Sequence, residues 1–103
     1  MRIIKKMAEQ MKEEIASAKG YAKLATHYKT EQPTLAKVYY DAANDELKHA
    51  DWLHTEVVKL IEKQRAIEPP PPVMLELWEY EHKEYVEEYG IAKNMIALYS
   101  NPR

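Results

Sequence analysis

The chain has no cysteine, which removes disulfide scaffolds, thiolate zinc sites and cysteine catalysis from consideration. It has only two glycines in 103 residues, so little of it is built for tight turns. It lacks an excess of either charge. Fifteen basic residues stand against seventeen acidic ones for a net charge of -2, and the two signs are interspersed. A nucleic-acid face or a polybasic membrane patch is therefore not expected. No apolar run approaches the length of a bilayer span. Met1-Arg2-Ile3-Ile4-Lys5-Lys6 leads into Glu and Lys rather than into the apolar stretch of a signal peptide. The expectation is a soluble, cytoplasmic protein with no nucleic-acid or membrane partner.

What is present is 46% hydrophobic and 31% charged residues, rich in Ala, Glu, Lys and Leu, the balance of an all-α fold. A compact monomer of this length buries roughly two-thirds of its unfolded surface, which leaves helix faces for a partner to cover.

Steps of three and four residues from Ile4 give Ile4, Met7, Met11, Glu14, Ala18, Tyr21, Ala25 and Tyr28, a continuous apolar face with Glu14 as its one exception. This predicts a helix from about residue 2 to 29, weakened by Gly20 and broken at Thr30-Glu31-Gln32-Pro33. The same walk from Leu35 gives Leu35, Tyr39, Ala42, Glu46, His49, Leu53, Val57 and Leu60. It predicts a second helix over about 34–66, antiparallel to the first across a short connection. Pro69-Pro70-Pro71-Pro72 then predicts an extended strut of roughly 12 Å that sets off a third helix. That helix shows Leu75, Trp78, His82, Tyr85, Tyr89, Ala92, Ile96 and Tyr99 along one face and ends at Ser100-Asn101-Pro102. The organisation expected is a helical hairpin over 1–67, a Pro-rich linker over 68–73, and a C-terminal helix over 74–100 packing on the bundle or on a partner subunit.

The polar interruptions carry the chemistry. An ionised carboxylate on an apolar face is costly unless paired or bound to a metal. Glu14 and Glu46 each sit near the middle of a helix, and His49 follows Glu46 by one turn on the same face. The loop centre lies near residue 31, about equally far from Glu14 and Glu46, so antiparallel pairing brings all three to one level. Two carboxylates and an imidazole suit iron or manganese. A single Glu-x-x-His on a helix usually means nothing, and a lone face glutamate is more often half of an ion pair. The coincidence of the three is the sharper signal. Glu13, off the apolar face, is the alternative to Glu14. Glu79-Tyr80-Glu81-His82 supplies a second Glu-x-x-His, but Glu79 lies beside the apolar face, and a histidine among Trp and Tyr more often packs than ligates. His27 and His54 read as surface residues.

Two stretches resemble ferritin-like and rubrerythrin-like proteins, over about residues 7 to 61. Glu14-Ile15-Ala16-Ser17-Ala18-Lys19-Gly20-Tyr21-Ala22-Lys23-Leu24-Ala25 is similar to their first helix, where a ligand glutamate precedes a tyrosine by seven residues and a small residue by eleven. Tyr39-Tyr40-Asp41-Ala42-Ala43-Asn44-Asp45-Glu46-Leu47-Lys48-His49-Ala50 is similar to their second, with its Glu-x-x-His-Ala signature. The resemblance implies Glu14, Glu46 and His49 as metal ligands, with Tyr21 close behind them. It implies a di-iron carboxylate protein with two irons per dimer, manganese being the second candidate metal, that oxidises ferrous iron with oxygen or peroxide as a ferroxidase does.

A complete site of this kind takes a glutamate from each of two helices and a Glu-x-x-His pair from each of the other two. One chain offers half of that set. The resemblance to half-size encapsulated ferritins implies a homodimer closing a ferritin-like four-helix bundle. The third helix departs from that type, and no encapsulation-targeting tail follows Tyr99, so no encapsulating or docking partner is identified. The rubredoxin-like cysteine module of full rubrerythrins is also absent. The competing expectation is a metal-free helical oligomerisation or adaptor protein that keeps the same scaffold.

Overall fold

The computed structural model describes residues 2–101 and contains three α-helices: α1 (Arg2–Tyr28), α2 (Pro33–Ile67) and α3 (Pro72–Ser100). Pro33 opens α2 at a position where its missing N–H costs nothing, and the Gln32 N–H donates to the Tyr28 carbonyl at 2.9 Å to close the short turn before it. The proline run divides in the same way. Pro72 is already the first residue of α3, and Pro71 before it is extended (φ -61°, ψ 151°). The expected four-proline strut is therefore three prolines long, and it returns the chain onto the hairpin rather than holding the third helix away from it.

α1 and α2 form an antiparallel hairpin, and α3 runs back parallel to α1. Lys12 meets Glu81 at 3.0 Å and Lys19 meets Glu88 at 2.6 Å, while the Lys29 ammonium donates to the Asn101 carbonyl. Charge explains the choice of neighbour. α1 carries six Lys or Arg and three Glu, whereas α3 carries two Lys and six Glu; α2 is nearly balanced, with five basic and six acidic residues. α3 accordingly lies mainly on α1 and touches α2 lightly, through Tyr40–Tyr99 ring contact, through Asp51 and through His54.

The core is thin. The bundle measures 56 × 18 × 16 Å with a radius of gyration of 16.5 Å, against about 13 Å for a compact chain of this length. Among the described residues, the side chains wholly removed from solvent are all alanines, including Ala18, Ala22, Ala36, Ala43, Ala50 and Ala92. Small residues at a helix crossing let the two backbones come close. Ile15, Leu47 and Ile96 complete this central cluster, and Ile4, Met11 and Val57 form a second one toward the open end of the hairpin.

The buried stripe of α2 differs from the expected one. It comprises Ala36, Ala43, Leu47, Ala50 and Val57, which is rotated by roughly one residue toward α3 relative to the walk through Leu35, Glu46 and His49. The buried stripe packs against Ile15, Ala18 and Ala22 of α1, while α3 lies over the neighbouring side of α2 that carries His54. The face expected to be core is left half-open to solvent, and Leu35 and Val38 are exposed along it. Among the described residues no helix is long and apolar enough to cross a membrane.

Candidate metal centre

Glu14 on α1 and Glu46 and His49 on α2 converge. One ligand atom from each lies within 4.8 Å of the others, and no other group of three such side chains is found among the described residues. The His49 Nδ1 is 3.3 Å from Glu46 Oε1 and 3.6 Å from Glu14 Oε2. The first contact follows from the three-residue spacing on one helix. The second follows from the hairpin register, fixed by the alanine-lined crossing. Both carboxylates are about four-fifths buried, and the imidazole is 44% exposed.

Electrostatics reflect the crowding. The Glu46 carboxyl is raised above its ordinary value, first by a hydrogen bond with Glu14, then by burial and by the negative charge of Glu14; His49 opposes the rise. Two carboxylates at this range favour a shared proton, or a cation in its place. The donor set is oxygen and nitrogen only, of the kind that holds iron or manganese.

The cluster sits on the face of the hairpin away from α3. Asp51, which accepts from the Tyr85 hydroxyl at 3.2 Å and the Tyr89 hydroxyl at 2.8 Å, is two residues beyond His49, about 200° around the helix. Lys12, which pairs with α3, stands in the same relation to Glu14. α3 thus backs the hairpin and leaves Glu14, Glu46 and His49 facing outward. Trp52, one turn past His49, lies beside it with ring centroids 5.5 Å apart.

The remaining sequence candidates fall elsewhere. Tyr21 is half-buried and stacks on Tyr39 at 6.0 Å, and Tyr39 stacks in turn on Tyr28 at 6.2 Å; no hydrogen bond joins Tyr21 to Glu14, Glu46 or His49. Glu13 and Glu79 are exposed. His82 is exposed and stacks on His54 at 5.4 Å, far around the bundle from the ligand cluster. His27 is a surface residue in edge contact with Tyr28 at 4.7 Å. His54 is not a surface residue as expected. Its ring lies flat on Tyr85 at 4.7 Å and 10°, and its Nε2 is buried without a hydrogen-bond partner. The α2 periodicity put His54 off the predicted face, and only the docking of α3 covers it. The exposed Trp52 was missed as well. The i, i+3 spacing from His49 was the available signal.

Comparison with models of known protein families, with curated proteins and with solved structures gives no match.

Proposed function

We propose that the chain binds a transition metal through Glu14, Glu46 and His49, and that two copies related by a two-fold axis complete a di-iron carboxylate site with ferroxidase-like activity. The observation that carries this reading is the convergence of the three donor groups from two helices onto the one face that α3 leaves open. Iron held there would supply one-electron chemistry toward oxygen or peroxide. The chain's own residues supply the rest. Glu14 and Glu46 provide negative charge and oxygen ligands, and a cation between them would relieve the repulsion that raises the Glu46 carboxyl. His49 brings a neutral nitrogen donor, oriented by its approach to both carboxylates.

Three side chains from one copy hold a metal poorly; two copies bring six. The geometry is favourable to that pairing. The open face follows α1 for 27 residues, about 40 Å, on a bundle 18 Å across. A second hairpin laid on it covers roughly 700 Å² per copy, close to the size of a stable protein–protein interface. The thin core points the same way, since a second hairpin would bury the apolar positions of α2 that a single chain leaves exposed.

A second reading rests on a specific observation. His49 lies within ion-pair distance of both carboxylates, so a protonated imidazole could balance them without a metal, and the scaffold would then serve helical assembly alone. Anaerobic titration with ferrous iron, followed by admission of oxygen with absorbance and mass recorded together, separates the two. About two irons per dimer, lost in Glu46→Ala, is the expected result. A well-folded dimer that takes up no iron would overturn the metal reading and leave the assembly one.

A further inference from the structure

Trp52 is 65% exposed, the most exposed large aromatic side chain among the described residues. Its position is not arbitrary. It follows His49 by one helical turn and lies against the imidazole at 5.5 Å with the rings tilted by 43°. The imidazole therefore has the two carboxylates on one side and the indole on another. The same face of α2 exposes Val38, at 58%, and Leu35, and Leu24 continues it on α1. Asp51, which holds α3, lies about 100° around α2 from Trp52 and about 200° from His49.

We propose that Trp52 of each copy is the seal of the shared site: it packs on the second copy at the edge of the Glu14, Glu46 and His49 cluster and excludes water from it. The occupant of this face is a second copy of the chain, and the inference rests on the dimeric reading above. Three observations select that occupant. The ligand set is incomplete without another copy. The open face runs the length of α1, long enough to seat a second hairpin of about the footprint that a stable interface needs. Its most exposed large apolar side chain, Trp52, is of the type most enriched at the energetic centre of interfaces, flat, large and able to donate one hydrogen bond at its edge. Trp52 is a positioning residue in this role. It does not ligate; it restricts the rotation of His49 and lowers the local dielectric around the carboxylates.

The test uses the whole chain labelled with 5-fluorotryptophan, which gives one ¹⁹F signal each for Trp52 and Trp78, assigned with Trp52→Phe. Spectra in H₂O and D₂O are taken over a dilution series with sedimentation run in parallel, once with a chelator and once with anaerobic ferrous iron followed by elemental analysis. The Trp52 solvent isotope shift is expected to disappear in step with dimer formation, while that of Trp78 stays constant. Trp52→Ala is expected to weaken self-association by about tenfold or more, with Trp52→Phe between it and the native chain and the helical circular dichroism of both unchanged. A dimer in which Trp52 keeps its full solvent shift, a Trp52→Ala chain that dimerises like the native one, or a chain that stays monomeric throughout would overturn the proposal. The metal reading fails separately: a dimer with a sealed Trp52 that takes no ferrous iron sinks the site and keeps the seal. Iron bound stoichiometrically beside a solvated Trp52 does the reverse.

Discussion

Glu14 and Glu46 face each other across the α1–α2 crossing closely enough to share a hydrogen bond, and the proximity of Glu14 is the main reason that the Glu46 carboxyl is raised. Such a pair opposes folding in the metal-free chain, and the opposition is removable. Glu14→Gln is expected to stabilise the metal-free protein at neutral pH by a few tenths to about 1 kcal/mol, the scale of a partly exposed charge pair. The same variant is expected to lose metal binding. Chemical denaturation and ferrous iron titration of one preparation check both signs. A Gln variant less stable than the native chain would show the carboxylate to be structural.

His54 sets a pH dependence of its own. Burial lowers its pKa from the ordinary 6.5, nearby His82 lowers it further, and Asp51 works against both. The folded chain therefore binds a proton at this ring less readily than the unfolded chain does. The stability contribution is complete above the unfolded value and is lost as pH falls through 6.5 toward the folded one. Thermal melts between about pH 5 and 8 are expected to show this decline. In His54→Phe, which keeps the flat contact with Tyr85, the slope is expected to be shallower.

Asp51 is the hinge pin between α2 and α3. Asp51→Ala removes the acceptor of two tyrosine hydroxyls and is expected to cost about 1 kcal/mol. A sharper readout is the alkaline titration of tyrosine near 295 nm. Tyr89 is pushed up to about 12 by burial, by its hydrogen bond to Asp51 and by the negative charge there, so the variant's Tyr89 is expected to ionise earlier, with burial alone keeping it above 10. An unchanged titration would mean that the hydroxyls find other acceptors.

Gly20 and Gly90 are in helices at negative φ, and a Cβ at either meets nothing within 4 Å. Gly20→Ala and Gly90→Ala are each expected to stabilise by up to about 1 kcal/mol through helix propensity, raising the melting temperature by roughly 4–8 °C apiece. A loss of stability at Gly20 would show that another molecule packs there.

The three helices were legible because α1 and α2 carry a clear period and because prolines open α2 and α3, and their limits fall within about two residues of the expected ones. The convergence of Glu14, Glu46 and His49 was legible because antiparallel pairing across a short turn fixes axial level. Which side of the hairpin α3 would take was not. Its apolar residues lie on more than one face, with Val73, Leu77, Tyr80, Val86, Ile91 and Leu98 exposed, and the choice was made by charge on α1 and by Asp51 on α2. His54 was misread for the same reason: its burial depends on Tyr85, a residue distant in sequence.

The alanines of the α1–α2 crossing have a consequence beyond packing. Where the buried positions are alanines, with no side-chain rotamers to rearrange, repacking has little means to change the gap between the helices, and the span between the Glu14 and Glu46 carboxylates is set like the jaw of a calliper. A bulkier residue such as leucine at Ala43 would wedge the jaw apart and move the two carboxylates relative to each other, from a position that carries no charge of its own.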